Sequence, residues 1–397
     1  MKPIFTRIVL TATAVLTAAT AHAYDFEVDG IYYNLLSATD RTVEVTYKEM
    51  GNNNYSGEIV IPNKVAYSNI EFVVTAVGDY AFNGSYELTG VKIPDTVIII
   101  GNGAFFGCSK LKEVVLGNSI DLISSQAFYG CRSLKAIVIP PSVTVIGGGA
   151  FMYCTSLDSI VLPSSVSTVG RGIFEYCSSL TSVILPDGLA EIPTAMFLGC
   201  SSLTSVELPD GITTIEQELF TGCVSLKSIK IPLSVTLIDD SAFSSSGLES
   251  VVIPDNIKRI SYGVFHNCVN LKEIVLGKSL ECINTRALSG CTSLVSITSL
   301  NLDVPTCQTY VFENVNKFQC KVYVPEGSVD AYRAAEGWKE FLFIEPISES
   351  GVDEMGADAD GVTAVEYYDL QGVRLDAPTK GVNIVVYSDG SRRKVVL

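Results

Sequence analysis

Histidine is nearly missing. The 397-residue chain has two, and one of them, His22, falls in an N-terminal leader. A body with a single histidine cannot build a His-rich metal site and has little material for a Ser-His-Asp site. The motifs G-x-S-x-G, H-E-x-x-H and G-x-x-x-x-G-K-[ST] do not occur. No pair of carboxylates has a spacing that favours acid–base chemistry. Basic residues are scarce, 27 against 43 acidic, for a net charge of −16. Such a surface repels phosphate backbones and argues against nucleic acid as a partner. Beyond the leader no apolar run is long enough to cross a bilayer. Charged residues make up only 18% and apolar ones 47%, which excludes a wholly disordered chain. The chain reads as no enzyme, with no cofactor and no metal.

What is present begins with an address. Residues 1–23 read as a secretory signal: Lys2 and Arg7 give a positive start, Ile8 to Ala19 is an apolar run, and Ala21-His22-Ala23 is an A-x-A cleavage site. The apolar run is too short for a membrane span of ~20 residues. Cleavage after Ala23 leaves a chain that begins at Tyr24, is exported, and carries 43 acidic against 25 basic residues.

The second feature is a repeat. Phe82, Phe105, Phe128, Phe151, Phe174, Phe197, Phe220 and Phe243 are spaced by 23, with Phe265 after 22 and Leu288 after 23. One unit reads L-x-x-V-x-L-P-x-x-V-x-x-I-x-x-x-A-F-x-x-C-x-x, and residues 134–156 are a clean copy. Leu134, Ile137 and Ile139 alternate inward along a short strand. Pro140 ends it, because proline has no N–H and a fixed φ. Val143 and Ile146 make a second inward pair, Ala150 and Phe151 fill the far corner, and Cys154 closes the coil. The few buried side chains of one coil cannot offset the entropy of ordering 23 residues. Stacked coils share a core and satisfy each other's backbone. The spacing therefore predicts a mainly β, parallel-stranded solenoid of about ten units, roughly 50 Å long at ~4.8 Å per coil.

The pattern I-P-x-x-V-x-x-I-G-x-x-A-F-x-x-C-x-x-L, met nearly residue for residue from Pro140 to Leu157, resembles the BspA-type (Treponema-like) leucine-rich repeat. The flanks Tyr24–Tyr33 and Tyr323–Trp338 also resemble that family's entry and exit segments. The resemblance implies a right-handed leucine-rich-repeat solenoid of a Bacteroidota surface protein. It also implies adhesion, with host matrix proteins or other bacteria as partners. No residue-level binding motif comes with it.

Departures from the pattern locate further expectations. Gly117 and Gly277 replace the proline, and Ser246 replaces the cysteine in the short unit. Ile173, Met196 and Leu219 replace the small Ala, so the core there must repack. Pro62 to Phe82 is nine residues longer than Pro140 to Phe151, which predicts an insertion around Ala66–Val74. Cys108, Cys131, Cys154, Cys177, Cys200, Cys223, Cys268 and Cys291 share one repeat position. Stacked in parallel they point the same way, unsuited to disulfides or to a tetrahedral metal site, and read as a buried ladder of small apolar thiols. Cys307 and Cys320, across an expected hairpin, are the one pair we expect as a disulfide; Cys282 has no assigned partner. His266 near Cys268 suggests a Cys–His nucleophile, but Cys268 belongs to the buried ladder. Asp358-Ala359-Asp360-Gly361 resembles a fragment of a calcium loop and lacks its terminal Glu.

The outward position of the strand runs Lys92, Val115, Val138, Val161, Ile184, Glu207, Lys230, Val252, Val275, Thr298, beside a column of serines (Ser159, Ser182, Ser205, Ser228, Ser250). Val115, Val138, Val161 and Ile184 are the candidate binding residues. β-branched residues suit any pleated face; an exposed apolar stripe also docks a partner, a second copy or an extended peptide. A glycan-binding module is the alternative, with Tyr80, Tyr129, Tyr153 and Tyr176 near the coil corners but not in one phase. The parse is leader 1–23, N-terminal β cap 24–58, solenoid 59–302, C-terminal cap 303–347, acidic linker 348–361 and small β module 362–397. In the C-terminal cap, Phe318–Val324 reads as a strand, and Ser328 as the N-cap of a helix through Glu336. The β module resembles a short C-terminal sorting domain of the type IX secretion route, or is an inert β unit.

Overall fold

A computed structural model describes residues 23–49 and 55–347. Beyond these it describes the strands Ala364–Tyr368, Arg374–Leu375, Val382–Tyr387 and Arg392–Val396. Residues 1–22 of the expected leader 1–23, the expected linker 348–361 with its calcium-loop fragment, and the remaining residues of the expected C-terminal module lie outside the described residues.

Leu157 to Ser179 shows how one unit folds. Ile160 sits between two outward residues in the strand Ser159–Val161, and Leu157, Ile160 and Leu162 are buried. Pro163 ends the strand, and Val166 N–H bonds back to Pro163 O at 3.0 Å to turn the chain. A second strand, Thr168–Val169, follows with Val169 inward. Ile173, Phe174 and Cys177, all fully buried, close the corner. Each strand pairs in parallel with its equivalents in the neighbouring coils: Ser159↔Ser182 and Val161↔Ile184 on one wall, Val145↔Thr168 on the other. We call these the front and rear walls.

The corner phenylalanines form one continuous stack from Phe82 to Phe265. Where the preceding residue is Ala the rings are close and parallel: Phe82–Phe105 is 4.9 Å at 4° and Phe105–Phe128 is 5.1 Å at 2°. Ile173 and Met196 force the expected repacking. Phe151–Phe174 opens to 5.9 Å at 19° and Phe174–Phe197 to 6.0 Å at 16°. The 22-residue unit stays in the stack through Gly247, whose added Cβ would lie 2.0 Å from Val224 O; only glycine permits that approach.

Both walls have seams. On the rear wall, Gly101, Ser124, Gly147 and Gly170 each donate a backbone N–H to the preceding coil. Pro193 holds the equivalent place and has no N–H. The rear ladder breaks there, between Thr168–Val169 and Thr214–Ile215. The front ladder breaks at residues 136–138 and 228–230, which join no strand.

At the N-terminus β1 (Phe26–Val28), β2 (Ile31–Ser37) and β3 (Thr42–Thr46) form an antiparallel meander that lies on the rear wall. β4 (Ser56–Val60) starts the front wall. The insertion is a hairpin of β5 (Lys64–Tyr67) and β6 (Ile70–Val77), turned by Ser68 and Asn69 at φ 50° and 64°.

Stacking does not stop where the 23-residue spacing fades. Thr306–Cys307 extends the rear wall, and Lys321–Val324 and Phe343–Pro346 extend the front. The strand expected over Phe318–Val324 is the shorter Lys321–Val324, and it lies parallel to Ser296–Ser299. A helix, α1 (Val329–Ala334), covers the end. The helix is shorter than expected, and Ser328 Oγ bonds Pro325 O instead of capping it. Trp338 is fully buried, its Nε1 donating to Pro305 O at 2.9 Å.

The disulfide expectation is corrected here: Cys307 and Cys320 are both free thiols. They do not sit on two arms of a hairpin. Cys307 ends a rear strand, and Cys320 immediately precedes the front strand Lys321–Val324. Opposite walls of one coil keep the sulfurs apart. Cys282 is also free, with Sγ 3.3 Å from Asn284 Oδ1.

Candidate functional site

The front wall places all four candidate side chains in the open. Val115, Val138, Val161 and Ile184 are 43%, 83%, 53% and 61% exposed. Val138 stands furthest out, in the coil whose front residues join no ladder. Exposed Lys92 bounds the stripe on one side, and exposed Glu207 and Lys230 on the other. Ser159, Ser182 and Ser205 pair in register beside it. An apolar centre with a polar rim is the composition of a protein-binding patch. The same column does not stay open along the whole wall: Val252 and Val275 are half-buried and Thr298 is 4% exposed.

The tyrosines out of phase in the sequence meet in space. Phe106 stacks on Tyr129 at 4.4 Å and 2°, Tyr129 meets Tyr153 edge-on at 5.5 Å, and Tyr153 stacks on Tyr176 at 4.9 Å. The ribbon shifts by one residue between Tyr129 and Tyr153. That shift lands Tyr153 and Tyr176 on the left-handed corner position, φ 59° and 57°, where Gly107, Gly130, Gly199 and Gly222 stand in other coils. The arrangement counts against the glycan reading. Sugars stack on free aromatic faces, and these faces are spent on one another. The outer face of Tyr176 lies against Gly199, where an added Cβ would be 2.5 Å from the ring, and Tyr80 lies likewise against Gly103.

The thiol ladder does more than fill space. Cys108, Cys131, Cys154, Cys177, Cys200, Cys223, Cys268 and Cys291 each donate Sγ–H to a phenylalanine carbonyl of the preceding coil, at 3.0 to 3.3 Å. Sequence reasoning missed this bond. Its signal was the recurring offset of 26 residues between Cys and the Phe one coil back, 25 across the short unit. Burial pushes the Cys154 and Cys200 thiols up to about 12, which leaves them inert as nucleophiles. Cys268 is held at about 11 by burial, and its Sγ is engaged by Phe243 O and Ser246, not by His266. Among the described residues no group of three His, Cys, Asp or Glu could hold a metal ion.

Two laddered walls, a stacked corner and a 23-residue beat define a leucine-rich solenoid, a repeat scaffold. The family described as BspA type leucine rich repeat region (6 copies) matches residues 75–204 and again 190–319, so the chain belongs to the BspA-type leucine-rich repeat family. It is similar to a solved leucine-rich repeat protein from Bacteroides ovatus, at 28% identity and TM-score 0.63, over 82% of this chain and 100% of that one. A leucine rich cell surface protein from Faecalibacterium prausnitzii is 27% identical, covers 78% of this chain and 97% of its own, and has a TM-score of 0.47. No curated protein matches the chain. No helix among the described residues is long and apolar enough to cross a membrane.

Proposed function

We propose that the chain is an exported surface or secreted module that binds extracellular protein, of host matrix or bacterial surface, through its front wall. One observation carries the reading: four consecutive coils hold a branched apolar side chain at the outermost point of the wall, up to 83% exposed at Val138. Membership of a repeat family that presents long scaffold surfaces supports it. The test is the double substitution Val138→Lys and Val161→Lys, with binding measured against a panel of matrix proteins and intact bacteria. The expected result is at least about a tenfold loss of affinity, as for burying unpaired charge in an interface. Unchanged binding removes the front wall from the reading.

Export rests on the leader, and N-terminal sequencing of the exported chain should begin at Tyr24. The module 362–397 serves as the sorting tail in this reading. Its deletion should release the protein from the cell surface, and unaltered surface display would end the sorting role.

A further inference from the structure

The two ends of the front wall are built differently. In a parallel ladder successive residues direct their N–H and C=O to opposite sides. At the C-terminal edge, Ile347 N–H bonds Val324 O, so Ile344 and Pro346 are the residues that face outward. That edge is closed. The Arg333 guanidinium donates to Ile344 O at 2.9 Å, and Pro346 has no N–H to offer. At the N-terminal edge, Ile61 N–H bonds Lys92 O, so Glu58 and Val60 of β4 face outward with both N–H and C=O. Among the described residues β4 pairs with one strand only, Glu87–Lys92, and nothing described covers its other side. Val60 is 67% exposed.

Beside this edge lies a groove of roughly 450 Å³ between β4 and the β1–β2 hairpin. Val28, Ile31, Ile59 and Val65 give it apolar walls, and Asp29 and Glu58 are on its rim. The one cation on the rim, Lys64, is already paired with Glu71 at 2.7 Å. A strand added to β4 would set alternate side chains over this groove, as each coil does over the one before it. The occupant such a site selects is an extended segment that combines cations with branched apolar residues.

The chain itself carries that segment. Arg392–Val396 reads Arg-Arg-Lys-Val-Val and is an edge strand of the C-terminal sheet, paired only with Val382–Tyr387. No other described strand has three consecutive cations. Within one chain the contact is poorly placed. Twelve inter-strand steps separate β4 from Phe343–Pro346, about 58 Å at ~4.8 Å per step. The connection 348–363 reaches about 53 Å fully extended, and the two strand spacings from Ala364–Tyr368 to Arg392–Val396 add ~10 Å, so one chain spans the distance only when its connection is drawn out almost straight. We propose that β4 accepts the Arg392–Val396 strand of a second copy by edge-to-edge β pairing. The contact is heterologous, head to tail, and propagates into chains of molecules instead of closing as a dimer.

Sedimentation of the full chain across a concentration series tests this. The expected result is a progressive shift to dimers and higher species that a synthetic peptide of residues 389–397 suppresses. Val60→Pro removes one outward N–H while leaving the ladder bonds to Glu87–Lys92 in place, so it should abolish the association with circular dichroism unchanged. Glu58→Lys should weaken it about tenfold at low salt, while Val138→Lys with Val161→Lys should leave it intact, which separates this contact from front-wall binding. A chain that stays monomeric up to its solubility limit overturns the proposal. So does association that survives Val60→Pro, or one in which the peptide does not compete.

Discussion

The corner column and the front column run side by side along the same coils with opposite rules. At the corner every repeat from Phe82 to Phe265 holds a phenylalanine, and eight of these nine accept the thiol bond that ties them to the next coil. On the front the same coils hold Lys92, Val138, Glu207 and Lys230 at one equivalent position. The difference is one of available space. The corner is enclosed on all sides, so a change of shape must be absorbed by the coils above and below. The front position touches water, so chemistry varies there at little cost to the fold. Stability belongs to one column; in the proposed reading, recognition belongs to the other.

The largest break in that division should come from alkali. The native thiols of Cys108, Cys154 and Cys200 keep their protons to about 12, while an unfolded thiol releases its proton near 8.5. The unfolded state therefore loses protons first. Stability should be flat below pH ~8.5 and fall as pH rises toward 12, by up to ~1.4 kcal/mol per pH unit for each thiol. Denaturant titrations at stepped pH measure this, and a flat profile to pH 11 would show the ladder is not buried.

Next in size, Phe151→Ala removes a ring stacked at 5.4 Å on Phe128 and 5.9 Å on Phe174, and should cost ~3–5 kcal/mol. A loss under ~1 kcal/mol would mean the corner tolerates change as the front does. Cys154→Val keeps an apolar side chain of similar bulk but deletes the bond to Phe128 O at 3.2 Å. The expected loss is about 1 kcal/mol, with Cys154→Ser recovering part of it. If Val and Ser behave alike, packing alone explains the thiols. The smallest effect sharpens the contrast: Val138→Lys should change stability by no more than ~0.5 kcal/mol, read by the same denaturant titration.

The architecture was legible because the interior repeats in sequence. Phe about every 23 residues, Pro after most strands and Cys after most corners are enclosed positions where few shapes fit. The break in the rear wall came only with the structure: Pro193 occupies the place where Gly147 and Gly170 donate a ladder bond, and its missing N–H was the signal in the sequence. The coils past Leu302 were not, because Phe312 takes its corner place 24 residues after Leu288, and Trp338 and Tyr332 replace repeat residues in the core. The supposed hairpin and disulfide at Cys307 and Cys320 came from that lost count. The tyrosine ribbon was hidden for a different reason. A left-handed corner residue reorients its side chain, so Tyr153 meets Tyr129 although they stand in different columns. Exposure of the valines followed from strand alternation, but a partner's identity is a property of another molecule and was not legible in this sequence.

The gaps in the two walls are offset. Residues 136–138 interrupt the front in one unit, Pro193 the rear two units later, and residues 228–230 the front again after two more. Among the described residues no coil lacks its partners on both sides, much as vertical joints in brickwork never line up between courses. Tension along the long axis of the described solenoid therefore meets no plane in which both walls are already open.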